Sequence, residues 1–294
     1  MKRYLSSEYE VFGTTNAGVT SLESNLYQLD ATSYTEVMKI LLLLKPDIVI
    51  NCAGFTNVDQ CESNPETSWI LNTTIPFVIS KCCFETGSKF IQISTDHFQS
   101  TDLRPRTESE MVWAINQYGR SKLEAEKIVN EINPTSMIVR TNFVGWSPES
   151  KHSLINWIVK TNELKKEIIG FEDTFFSPVS VQVLSSTISE LVKLNYAGTI
   201  NISSDKPISK YDFSILVVSS FNLSGTLITK GLSSQVSRKA VRPQNLALDN
   251  GRLTEILGHG IPKLEDMIKS IAEDKFSQIE KQSPEGFENV ILEE

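Results

Sequence analysis

Short apolar runs alternate with longer stretches of mixed polarity through the first half of the chain. Residues 9–14 and 26–29 read as short strands, the second ending at Asp30. Residues 35–45 carry apolar positions at helical spacing. Pro46 stops that helix, because its ring removes a donor and crowds the preceding turn. The run from Asp47 to Gly54 is apolar through its middle, as in a strand buried on both faces of a parallel sheet. A long helix is predicted over 65–85, with Gly87 as its C-terminal cap. Residues 89–94 form the next strand, 118–132 a helix rich in Glu and Lys, and 136–140 another strand. Strands alternating with helices imply right-handed βαβ units. The expected fold class is therefore α/β, with a doubly wound parallel sheet.

The regularity loosens after residue 145. Helices are predicted over 154–165, 181–194 and, with a cap at Ser209, over 209–220. Residues 175–180 and 199–202 read as strands. This divides the chain into a sheet-building part (1–145 with 175–203) and a smaller mixed α/β part (146–174 with 204–275). The polar, acidic stretch 276–294 reads as a mobile tail.

Composition narrows the function classes. The 294 residues carry a net charge of −8, which argues against a nucleic-acid partner, since that needs a basic footprint. The opening residues, Met1 to Glu8, contain no apolar core of a secretory leader. The run Ile40-Leu41-Leu42-Leu43-Leu44 is far shorter than the roughly 20 residues of a membrane span. The expectation is a cytoplasmic protein with no membrane partner. Cys52, Cys61, Cys82 and Cys83 lack a CxxC spacing and read as reduced thiols. His97, His152 and His259 form no ligand cluster, so no metal site is expected.

The candidate chemistry lies in Asn116-Gln117-Tyr118-Gly119-Arg120-Ser121-Lys122 and in Ser94-Thr95-Asp96. Tyr118 and Lys122, four positions apart, share one face of a helix. A neighbouring ammonium favours the phenolate and lowers the phenol's pKa from about 10. Thr95 ends the preceding strand, where open α/β sheets place their ligands, and can donate to a carbonyl oxygen as it becomes an alkoxide. With seven tyrosines in the chain, a chance Tyr-x-x-x-Lys on an exposed helix face is the rival reading. The position of the pair, opening a helix after the right strand, favours catalysis. Ala53 and Gly54 could let a flat ligand approach the backbone, or form an ordinary turn. Asp30 could cap a helix or contact an adenine ring. Asn72, mid-helix, could face the solvent or tie helix to sheet, and the structural reading is favoured.

Together these stretches resemble the extended short-chain dehydrogenase/reductases, and among them the dTDP-4-dehydrorhamnose reductases. Lys45 to Asp59, Ile93 to Asp96, Asn116 to Lys122 and Arg242-Pro243-Gln244-Asn245-Leu246-Ala247-Leu248-Asp249 carry the resemblance, which spans residues 9–270. It implies a Rossmann NAD(P)-binding domain for the sheet-building part and substrate binding for the smaller one. It implies Thr95, Tyr118 and Lys122 as catalytic residues, with NADPH or NADH as cofactor. Asp30, Ala53, Gly54, Tyr118 and Lys122 would line the cofactor site. Thr56, Val58, Phe143 and the loop from Asn142 to Gly145 would face a nucleotide-sugar substrate, with Arg242 near its phosphates. A homodimer is left open.

The chain departs from the family in four places. The first strand and its glycine-rich turn, about 20 residues, have no counterpart, so two strand edges are expected to lie unpaired. His97 stands where a tyrosine is common, and Phe143 where a tryptophan is common. Thr14 and Thr15 end the second strand without the acidic residue that selects a free ribose 2′-hydroxyl, which suits NADPH or dual use. Two rivals to the reductase reading follow: a regulatory nucleotide-binding subunit resembling the β-subunit of methionine adenosyltransferase, and an inactive copy. The complete Thr95, Tyr118 and Lys122 set argues against the first.

Overall fold

The structure is a computed structural model that describes residues 1–16, 25–99, 104–146 and 153–282, the last seven as backbone alone. The chain opens with helix α1 (Lys2–Leu5), strands β1 (Gly13–Thr15) and β2 (Leu26–Gln28), helix α2 (Tyr34–Leu44) and strand β3 (Ile48–Asn51). Helices α3 (Val58–Ser63) and α4 (Pro65–Trp69), a π-helical turn (Ile70–Thr74) and α5 (Ile75–Thr86) follow. Strand β4 (Lys89–Ile93), helix α6 (Gln117–Ile132) and strand β5 (Met137–Thr141) complete the first half. Next come β6 (Phe143–Val144), α7 (Leu154–Glu163), β7 (Ile168–Phe171), β8 (Phe175–Phe176), β9 (Val179–Ser180) and α8 (Val181–Lys193). The chain continues with β10 (Gly198–Ile202), β11 (Ile208–Ser209), α9 (Lys210–Ser220), β12 (Ile228–Gly231), β13 (Asn245–Leu246), α10 (Gly251–Leu257) and α11 (Leu264–Gln282).

The main sheet has the order β10-β5-β4-β3, and every pair in it is parallel. Strands β1 and β2 form a separate parallel pair. Successive side chains of β4 and β5 enter opposite cores, as strand alternation requires. Ile91, Met137 and Val139 pack toward α8, α9 and α11, and Phe90 and Ile138 toward α2 and α5. Ile48, Val49 and Ile50 of β3 are only half-buried, and among the described residues β3 has no partner on its outer edge. Among the described residues no strand joins β3 to the β1–β2 pair.

Local chemistry fixes the helix ends. Ser33, Asn116, Ser180 and Ser209 each accept a backbone N–H of the first turn of the helix that follows. Gly87 ends α5 with a φ of 77°, which glycine adopts without strain. Four expectations need correction. The segment 65–85 is broken by the π-helical turn, because Asn72 is turned inward. Its Oδ1 accepts from Phe55 N at 2.7 Å, and its Nδ2 donates to Phe55 O at 3.1 Å and to Ser121 Oγ at 3.0 Å. Residues 175–180 split at Pro178 into β8 and β9, which join different sheets. The strand expected over 9–14 is confined to Gly13–Thr15. Residues 276–282, expected in the tail, continue α11, whereas 283–294 lie outside the described residues.

Helix α6 is docked on the sheet by charge as well as by apolar packing. Arg140 of β5 meets Glu126 of α6 through Nη2 to Oε2 at 2.7 Å, with both side chains at most 9% exposed. Arg140 Nε adds bonds of 3.1 Å to both carboxylate oxygens, and Ser94 Oγ donates to Glu126 Oε1. Breaking a buried pair leaves an uncompensated charge. Glu126→Ala should therefore lose about 3–5 kcal/mol of unfolding free energy in a denaturant titration. A loss below about 1 kcal/mol, the range of a surface ion pair, would contradict this.

Candidate active site

Strand β4 delivers Ser94, Thr95 and Asp96 to its C-terminal end, and the first turns of α6 bring Tyr118 and Lys122 against them. Asn116 caps α6 by accepting Gly119 N at 2.8 Å and donates from Nδ2 to Val241 O at 2.8 Å. Gly119 makes the approach possible, since a Cβ there would stand 2.9 Å from His97 O and 3.2 Å from Ala114 Cβ. Thr95 hydrogen-bonds the Tyr118 phenol. Thr95 Oγ1 also accepts from His97 N at 3.2 Å. The His97 ring meets the Tyr118 ring edge-on, with centroids 5.5 Å apart. Lys122 Nζ donates to Ile93 O at 2.6 Å. The three expected catalytic side chains thus converge at one strand end, two of them bonded to each other.

The electrostatics correct one expectation. The Tyr118 phenol is held above its ordinary pKa, because burial outweighs the Thr95 bond and Asp96 adds to the shift. Lys122 is not among the groups that move it; its ammonium is turned to the strand-end carbonyl. Tyr118 therefore stays protonated at neutral pH, as a proton donor must. Burial pulls Lys122 down to about 8, opposed by Glu126 and Cys52. His97 is pushed down to about 3 by burial and by the cations Arg242, Lys210, Arg106 and Arg238, so its imidazole is neutral. Its Nε2 is buried and has no hydrogen-bond partner among the described residues. Burial raises the Asp96 carboxyl, against an Asn142 Nδ2 bond of 2.7 Å and the nearby Lys210 and Arg106.

A cavity of about 630 Å³ adjoins this strand end, lined by residues that include Arg106, Arg238 and Arg242. Arg242 Nη2 pairs with Asp59 Oδ2 at 2.8 Å. Arg238 lies over the Phe171 ring, 4.7 Å from its centroid. Arg106, 2% exposed, joins the cavity to the strand end. Its Nη2 donates to Asp96 O at 2.6 Å and its Nη1 to Asn245 O at 2.5 Å, while its Nε has no partner among the described residues. Such a lining suits a polyanionic ligand, since arginine forks match phosphate oxygens.

The remaining expected residues are less tightly grouped. Ala53 and Gly54 are exposed at the end of β3, and a Cβ on Gly54 would meet Asn72 Oδ1 at 3.1 Å. Asp30 is exposed; its Oδ1 accepts from Thr32 N at 2.9 Å and Thr32 Oγ1 at 2.6 Å. The cap of α2 is Ser33, so the capping alternative for Asp30 is set aside. Thr56 is exposed and Phe143 is 52% exposed, whereas Val58 is buried at the start of α3, away from the cavity surface. Arg242 lines the cavity. Sequence reasoning missed Arg106, Arg238, Lys210 and the Asn142–Asp96 bond. The available signal was the recurrence of arginine around Pro105 and Pro243.

Comparisons with known proteins place the chain in a family. The family model described as the RmlD substrate binding domain matches residues 2–276. The probable low-salt glycan biosynthesis reductase Agl14 of Haloferax volcanii is 29% identical over 267 residues, covering 90% of this chain and 89% of that protein. The dTDP-4-dehydrorhamnose reductase of Escherichia coli is 23% identical, covering 87% of this chain and 89% of that one. A crystal structure of dTDP-4-dehydrorhamnose reductase from Bacillus anthracis in complex with NADP superposes with a TM-score of 0.78 at 24% identity, covering 86% of this chain and 91% of that one. With the family model spanning nearly its whole length, the chain belongs to the RmlD substrate binding domain family.

Proposed function

We propose that this protein reduces the C4 ketone of a nucleotide-linked 4-keto-6-deoxy sugar, in the synthesis of a surface polysaccharide or glycan. One observation carries the reading: a protonated, Thr95-bonded Tyr118 stands at a strand end beside an arginine-lined cavity. Family membership and the reductase names of its relatives support it. The described residues fit the nicotinamide and ribose half of a dinucleotide. Ala53 and Gly54 leave the backbone exposed at the end of β3, and the Lys122 ammonium acts on the neighbouring Cys52. NADPH or NADH, when bound, supplies the hydride. Thr14 and Thr15 at the end of β1 place no carboxylate against a 2′-phosphate, which favours NADPH, and Asp30 is proposed to meet the adenine.

Tyr118 holds the proton that the new alkoxide needs, and Thr95 steadies the same oxygen. Lys122 orients the ribose hydroxyls. Arg238 and Arg242 take the diphosphate, and Arg106 keeps the Asp96 loop in place. Thr56 and Phe143 are proposed to face the sugar nucleotide, with Val58 supporting them from beneath. The division into a cofactor part (1–145 with 175–203) and a substrate part (146–174 with 204–275) is proposed on the same basis. Phe175–Phe176 lies at the junction, since it pairs with β11 and β13 of the second part.

Tyr118→Phe removes the donated proton and should cost about 10²–10⁴-fold in kcat for dTDP-4-keto-6-deoxy sugar reduction, followed by NADPH absorbance. Undiminished turnover would sink the reading. Lys122 is charged below its pKa of about 8 and neutral above it. If the charged form is the active one, kcat/KM should fall as pH rises through about 8, and Lys122→Arg should remove that alkaline limb. A wild-type profile flat to pH about 10, the range of an unshifted lysine, would contradict the assignment.

A further inference from the structure

Lys210 breaks several local rules at once. It is the first residue of α9, where the helix dipole disfavours a cation. Burial and the guanidiniums of Arg242 and Arg238 also oppose its charge, and only Asp96 favours it. Among the described residues its ammonium forms no ion pair or hydrogen bond. Asp96 Oδ2 is taken by Asn142, and Asp212 in the same first turn accepts from Ser209 Oγ at 2.6 Å. The ammonium rests instead on the face of Phe176, 3.1 Å from the ring centroid. The residue as a whole is half-buried. A cation kept where its surroundings oppose it marks a functional position.

Its place in the site says what it would bind. The charges that act on it are those of Asp96, adjacent to the catalytic Thr95, and of Arg238 and Arg242 of the cavity. A nucleotide sugar with its diphosphate on those arginines and its C4 at Thr95 and Tyr118 carries its sugar ring across the gap between them. We propose that Lys210 is a specificity-determining residue that donates a hydrogen bond from its ammonium to an oxygen of that sugar. Phe176 supports the lysine stem and holds the ammonium in place through its π face. The inference rests on the sugar-nucleotide reading given above and assigns this residue to the sugar rather than to the phosphates.

The test compares dTDP-rhamnose with dTDP by calorimetry on the wild-type protein, Lys210→Met and Lys210→Arg. Methionine keeps the stem and the contact with Phe176 but loses the donors, and arginine retains donors. Lys210→Met should weaken dTDP-rhamnose about 10- to 100-fold, the effect of losing a hydrogen bond from a charged donor. It should leave the dissociation constants of dTDP and NADPH within about twofold, and Lys210→Arg should recover most of the loss. Equal weakening of both nucleotides would overturn the proposal by moving the contact to the phosphates. So would unchanged affinity for both, or a wild type that binds the sugar nucleotide no better than dTDP. Circular dichroism of each variant separates a lost contact from a lost fold. The reductase reading is judged separately by turnover of Tyr118→Phe, so wild-type reduction with an unaffected Lys210→Met would sink this inference alone.

Discussion

The site depends on how α6 is held against the ends of β4 and β5. Apolar packing alone would let a helix slide or roll on a sheet of Val, Ile and Met side chains. The buried Glu126–Arg140 pair, with Ser94 bonded to the same carboxylate, fixes both register and rotation. One turn toward the N-terminus, Lys122 is anchored to Ile93 O; one turn further, Tyr118 reaches Thr95. Gly119 lets the first turn close on the His97 carbonyl, and Asn72 ties the same helix to the segment after β3 through Ser121. Each tie is polar and buried, so each is costly to leave half-made, which is why the geometry is specific.

The second organising feature is an asymmetry of charge. Arg106, Arg238, Arg242 and Lys210 gather near a single strand end, and among the described residues Asp96, Asp59, Asp173 and Glu110 act against them. One consequence is that His97 stays neutral. Another is that a polyanionic ligand gains on entry what the free protein lacks. The Tyr118 phenol sits apart, shielded by burial and kept protonated. A site that holds a proton at one end and binds phosphates at the other suits reduction of a ketone on a nucleotide-bound sugar.

Much of this was legible in the sequence because it is written in local patterns. Apolar runs marked β3, β4 and β5, caps marked Ser209 and Gly87, and the Tyr118–Lys122 spacing marked one helix face. What escaped was non-local. The π-helical turn exists because Asn72 finds partners at Phe55 and Ser121, residues distant in sequence. The upward shift of the Tyr118 phenol reflects burial, which helix spacing alone does not reveal. Arg106 lies in a segment without periodicity, and its role appears only where it bridges Asp96 and Asn245. The Arg242 to Asp249 stretch showed no chemistry in the sequence. In the fold it forms β13 and part of the cavity wall, and Arg106 N donates to Ala247 O at 3.0 Å.

The central claim is that the ends of β3, β4 and α6 make a working cofactor and substrate site. The most direct measurement is a titration of the protein with NADPH, followed by nicotinamide fluorescence, with and without dTDP-rhamnose. The account predicts saturable micromolar binding that tightens when the sugar nucleotide is present. Absence of NADPH binding under both conditions would contradict it.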